Sequence, residues 1–180
     1  RLPADDVNDV FTIESLTPTT ITLSAVDALA TELEGSREVT LNESDLIRWG
    51  EAIGAAVQTP LFLLLRGSLG AGKSVLARSI ARGAGVKGSV PSPTFNLVFR
   101  YPCTRGIQIV HLDLFRLSDP ADLWELGWQD LGARDELVLV EWPERAEKFL
   151  PESRWEVSLC FVEEDDKIRG VAVTRFGVPP

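Results

Sequence analysis

A chain of 180 residues, 44% hydrophobic and 25% charged, has the material for one domain with its own core. Its formal net charge of −9 sets the surface against a polyphosphate backbone, which argues against autonomous nucleic-acid binding and routes any action on RNA through a partner. No apolar stretch nears the ~18 residues that a membrane-spanning helix needs, and no amino-terminal segment joins basic residues to an apolar core, so no membrane is expected and the expected address is cytoplasmic.

Residues 1–37 differ from the rest. A polar opening leads to Thr17-Pro18-Thr19-Thr20, and then Ser24 to Leu33 reads as a short helix capped by Ser24 and stopped near Gly35. This stretch is expected to be an accessory arm of unknown role, with the main domain over 38–180. The chain contains no methionine, so Arg1 is not an initiator and the chain reads as a processed or trimmed product.

From Val39 the pattern tightens. Val39-Thr40-Leu41 reads as a strand, and Asn42 or Ser44 as the cap of a helix through Ala56 with Leu46, Ile47, Trp49, Gly50, Ile53, Gly54 and Val57 on its apolar face. After Pro60 comes the unbroken apolar run Leu61-Phe62-Leu63-Leu64-Leu65, the mark of a buried strand. Gly67-Ser68-Leu69-Gly70-Ala71-Gly72-Lys73-Ser74 follows at once, with the spacing G-x-x-x-x-G-K-[ST], and a helix over 73–84 ends at Gly83 and Gly85. Downstream, a hairpin is expected from Asn96–Tyr101 and Ile107–Asp113, and a helix from Asp119-Pro120 carrying Leu123, Trp124 and Leu126. Glu136–Trp142 is a second buried strand, and Trp155–Val162 with Ile168–Phe176 form a last hairpin around an acidic turn. The sum is an α/β fold like that of P-loop NTPases: a three-layer sandwich with a mainly parallel central sheet and antiparallel edge hairpins.

The glycine-rich loop carries the chemistry. Its glycines let successive amides turn toward one anion, and the helix beginning near Lys73 aims its open N–H groups at the same point. Lys73 would reach the outer phosphates, and the Ser74 hydroxyl would serve a magnesium ion. Hydrolysis further needs carboxylates and an oriented water. Asp113 closes Ile109-Val110-His111-Leu112 and Glu141 closes Leu137-Val138-Leu139-Val140, at strand ends where open α/β sheets bind ligands. Both are read as facing the magnesium ion, directly or through water, and either could orient the attacking water. Thr94, in Ser92-Pro93-Thr94-Phe95, is a candidate switch residue. His111 shares a strand face with Asp113 and reads first as a structural hydrogen-bonding residue. Arg116 and Arg145 read first as solvated surface, and Cys103 and Cys160, far apart without metal-ligand spacing, as free thiols.

Taken in order, the loop Gly67 to Ser74, Ser92-Pro93-Thr94-Phe95, His111-Leu112-Asp113-Leu114-Phe115-Arg116, Glu125-Leu126-Gly127 and Val140-Glu141-Trp142-Pro143-Glu144-Arg145 strongly resemble the TsaE family, also called YjeE. The likeness spans roughly residues 41–162, and its His-x-Asp-x-aromatic-Arg and Val-Glu-Trp-Pro-Glu elements are more specific than the loop. It implies an ATPase that helps install threonylcarbamoyladenosine at position 37 of transfer RNAs reading codons that begin with A, working with subunits resembling TsaD and TsaB and meeting tRNA only through them. It implies ATP on Gly67, Ser68, Leu69, Gly70, Ala71, Gly72, Lys73 and Ser74, and magnesium on Ser74, Asp113 and Glu141. Thr94 would lie in a mobile switch, and Glu43 near the adenine. Ser74 and Phe115 stand where threonine and tyrosine are common in the family. The alternatives are a small-molecule kinase and a non-catalytic nucleotide sensor; no Asn-Lys-x-Asp element supports a GTPase.

Overall fold

Strand β3 (Leu61–Gly67) lies at the centre of the sheet because both of its faces are apolar. Leu63, Leu64 and Leu65 are all buried, as a central parallel strand requires. The computed structural model describes residues 9–11, 39–93, 96–162 and 165–179. Strands β6 (Glu136–Glu141) and β7 (Arg154–Val162) flank β3, both parallel to it, and β5 (Gln108–Asp113) extends the parallel group beyond β6.

Antiparallel strands close both sides, in agreement with the two expected hairpins. β4 (Val98–Pro102) pairs with β5, and β8 (Asp165–Phe176) pairs with β7. The free edge of β8 takes β2 (Val39–Asn42) along its first half and β1 (Asp9–Phe11) along its second, so three residues of the amino-terminal stretch join the sheet. The expected helix over 24–33, Thr94 and the acidic pair Glu163-Glu164 lie outside the described residues.

Two α-helices cover one face. Asn42, rather than Ser44, caps α1 (Glu43–Ala56): its side-chain oxygen accepts from the Asp45 N–H at 2.9 Å. Helix α2 (Lys73–Gly83) ends where Gly85 turns left-handed at φ 93° and the Val86 N–H bonds back to the Ala81 carbonyl at 3.0 Å. Beneath the helices, Leu46, Trp49, Leu76 and Ile80 bury against Leu63, Leu65, Ile109, Leu137 and Leu139.

The opposite face corrects one expectation. The segment from Asp119 does not form an α-helix; it makes a short 3-10 turn, Pro120–Trp124. The Asp119 side chain accepts from the Ala121 N–H at 2.8 Å, and Asp122, Glu125, Leu126 and Gly127 then each donate three residues back. Gly127, left-handed at φ 74°, stops the run before an α-helix has enough turns to hold itself. Further 3-10 turns at Trp128–Asp130 and Pro143–Phe149 complete this layer. Leu114, Leu117, Leu123, Trp128 and Ala146 seal Leu64, Val110, Leu112, Val138 and Val140. The third layer of the sandwich is therefore built of 3-10 turns. No described helix is long and apolar enough to cross a membrane.

Candidate nucleotide site

The site sits at the carboxyl ends of β3, β5 and β6. Where β3 ends, Gly67 takes φ 137°, and a β-carbon there would stand 2.3 Å from the Leu159 carbonyl oxygen. Only glycine fits this close passage between two strands. The chain turns through residues 68–72 and enters α2 from Gly72, left-handed at φ 106° and offering no capping side chain. The first amides of α2 are thus left without a side-chain acceptor, which is the arrangement that favours an anion.

Lys73 is only 4% exposed. Its ammonium donates to the Gly67 carbonyl at 2.5 Å and the Ser68 carbonyl at 2.9 Å, and it lies 3.7 Å from the centre of the Trp142 ring. Burial lowers the pKa of this amine, and the negative charges of Glu141, Glu144 and Asp113 offset that only in part. A cation so short of water gains from any phosphate that approaches it.

Strand register brings the carboxylates together. Asp113 and Glu141 are direct neighbours across the β5–β6 pair, and Glu141 in turn lies opposite Leu65 of β3. Side-chain alternation puts both on the face that α1 and α2 cover, the face of Ile109, Leu137 and Leu139. Both are buried, at 3% and 1% exposure. The Ser74 hydroxyl donates to Glu141 Oε2 at 2.7 Å, and His111 Nε2 lies 2.8 Å from Glu141 Oε1. Asp113 accepts from the Phe115 N–H at 3.0 Å. A cleft of about 260 Å³ opens here, lined by Lys73, Ser74, Asp113, Phe115, Glu141 and Trp142.

A second hollow of about 460 Å³ lies on the other side of the loop, between Asn42, Glu43, Gly70, Gly72, Lys167 and Arg169. The candidate site residues thus converge around one loop, Glu43 included, except for Thr94, which lies outside the described residues. Arg116 and Arg145 are exposed. Two features are not evident from the sequence. One is the contact of His111 with Glu141, for which the shared strand face is the available signal; the other is the seat of Lys73 on Trp142, for which there is none.

The donor set suits magnesium. Around Ser74 the nearby groups are a hydroxyl and carboxylates, hard oxygen ligands without sulfur. Among the described residues no group of three or more His, Cys, Asp or Glu side chains stands ready to hold a metal. The remaining positions would fall to water and phosphate, as is usual for magnesium.

An uncapped helix behind a glycine loop, at the ends of parallel strands, defines the phosphate-loop class of α/β proteins. A family model described as "Threonylcarbamoyl adenosine biosynthesis protein TsaE" matches residues 40–169. The chain is 32% identical over 150 residues to the tRNA threonylcarbamoyladenosine biosynthesis protein TsaE of Haemophilus influenzae, covering 81% of this chain and 94% of that protein. Its counterpart in Streptomyces coelicolor is 34% identical over 131 residues, covering 71% and 88%. The crystal structure of YdiB from Bacillus subtilis shares the fold, with a TM-score of 0.59 at 23% identity, over 78% of this chain and 87% of that one. This chain belongs to the TsaE family.

Proposed function

We propose that this chain is a magnesium-dependent ATPase working inside the assembly that forms the threonylcarbamoyl modification of adenosine 37 in tRNAs reading codons that begin with A. The observation that carries this reading is the 2.7 Å hydrogen bond from Ser74 to Glu141 at the mouth of the uncapped loop helix. The loop amides and Lys73 would bind the phosphates of ATP. Ser74, Glu141 and Asp113 would hold the magnesium ion, which when bound offsets charge on the outer phosphates. Of the two carboxylates, one orients the attacking water and accepts a proton from it. Thr94 belongs to a switch segment that senses the terminal phosphate, and Glu43 lies beside the adenine. Residues 38–180 form the ATPase domain, and 1–37 are an accessory arm.

Partners resembling TsaD and TsaB would stimulate turnover, and tRNA would be met through them. The formal charge of −9 supports docking on proteins over direct grip on RNA. The test is ADP release from the full chain, with and without the partner complex and with no phosphoryl acceptor, beside multiple-turnover modification of unmodified tRNA. Glu141→Ala is expected to cut partner-stimulated release by about 100-fold, the scale of a lost general base. Undiminished release would remove Glu141 from the chemistry. Release that requires an added acceptor would instead mark a small-molecule kinase.

A further inference from the structure

We infer that His111 is a positioning residue for the Glu141 carboxylate. The inference rests on the ATPase reading above but adds a residue to it.

His111 is 1% exposed in the interior of β5, behind the two acidic residues rather than in the cleft. The Glu141 carboxylate is strung between two partners 67 and 30 residues away in the chain: Ser74 Oγ at 2.7 Å on Oε2 and His111 Nε2 at 2.8 Å on Oε1. An ionised carboxylate only accepts hydrogen bonds, so Nε2 must carry the proton of this contact. Nδ1, buried as well, has no hydrogen-bond partner. The ring therefore makes one side-chain hydrogen bond, and it is spent on Glu141.

This fixes what the ring does. A carboxylate at the end of β6 held by Ser74 alone could turn about its side-chain bonds when the serine hydroxyl rotates to a new partner. His111 anchors the far oxygen, so Oε2 keeps facing Ser74 and the cleft when nucleotide arrives. The β-sheet makes the anchor stiff: His111 is paired opposite Leu139, two residues before Glu141, on the same face. Asp113, two residues beyond His111, is held by the separate Phe115 amide.

The experiment compares His111→Phe, His111→Asn and His111→Gln in the full chain. Phenylalanine keeps a ring but has no donor. The Gln side-chain nitrogen reaches about as far as Nε2, whereas that of Asn falls one bond short. His111→Phe and His111→Asn are expected to lower kcat of partner-stimulated ADP release by about 10- to 100-fold, the usual cost of losing an outer-shell partner, with KM raised only as far as the magnesium-dependent part of binding is lost. His111→Gln is expected to restore most of it. The second readout is direct binding of a non-hydrolysable ATP analogue: affinity in EDTA stays within about twofold of wild type in all three, while the gain on adding magnesium shrinks in Phe and Asn and returns in Gln.

The inference is overturned if folded His111→Phe or His111→Asn keeps both turnover and the magnesium gain, or if Gln loses as much as Phe. If Phe fails to fold, the Asn-against-Gln comparison decides alone. Wild type that binds nucleotide but never hydrolyses it would sink the ATPase reading instead, and the magnesium gain would still test His111.

Discussion

Lys73 is a closely held charge, buried at the mouth of the loop. It turns back onto two carbonyls of its own loop and under the Trp142 ring, and Trp142 itself takes a left-handed backbone, φ 59°, immediately before Pro143. A triphosphate on the loop amides would offer this ammonium a full negative charge in place of two carbonyl dipoles. Lys73→Ala is accordingly expected to weaken binding of an ATP analogue by roughly 10- to 100-fold, the worth of one hydrogen bond to a charged group, as isothermal titration would read it. Affinity within about twofold of wild type would mean that the lysine stays on its carbonyls and never reaches the phosphates. The spacing of loop residues makes Lys73 legible in the sequence alone, because the motif is local. Trp142, 69 positions further on, is not, since nothing in a linear pattern says which aromatic ring closes over which cation.

The two helices pack against each other through glycines. A β-carbon on Gly54 of α1 would stand 2.0 Å from the Ile80 carbonyl oxygen and 2.6 Å from the Ala84 nitrogen, and one on Gly83 of α2 would stand 2.0 Å from the Glu51 carbonyl oxygen. These contacts are backbone to backbone, so no side chain can move aside. Gly54→Ala is expected to destabilise the fold by about 3 kcal/mol, the upper range for overpacking, seen as a lower urea midpoint. A midpoint equal to that of wild type would show that the helices can part without cost. The far end of α1 is secured from another element: Arg105, in the turn between β4 and β5, donates to the Gly54 carbonyl at 3.1 Å and the Val57 carbonyl at 3.3 Å. The apolar period of α1 and α2 is plain in the sequence. That of 119–127 misleads, because Leu123, Trp124 and Leu126 sit on a segment that Asp119 and Gly127 confine to 3-10 turns, leaving Trp124 48% exposed.

Across the molecule, an ion-pair network ties the central strand to its neighbours beneath the loop. Arg66 of β3 donates to Glu156 of β7 at 2.5 Å and to Glu147 at 3.0 Å, and Arg154 donates to Glu156 at 2.8 Å. Burial pushes the Glu156 carboxyl up, but the hydrogen bonds and charges of Arg66 and Arg154 outweigh it and hold it below the ordinary carboxylate range. A depressed folded pKa means stability that is present above the unfolded carboxyl value, about 4.3, and lost as pH falls through the folded one. Glu156→Gln is expected to cost on the order of 3 kcal/mol at pH 7, because Arg66 and Arg154 keep their charges, and to close the gap to wild type in acid. Urea midpoints at pH 7 and at about pH 3 check this; a gap that persists in acid would deny the ionised carboxylate its role. The linear chain by itself determines whatever is encoded over a few consecutive positions: an apolar strand, the glycine loop behind it, and acidic residues at strand tips. Strand order and the His111–Glu141–Ser74 chain are decided only in three dimensions, since they depend on which distant segments become neighbours in the sheet. Backbone periodicity and turn chemistry act locally, whereas a hydrogen bond between side chains exists only once packing has brought its two ends within about 3 Å.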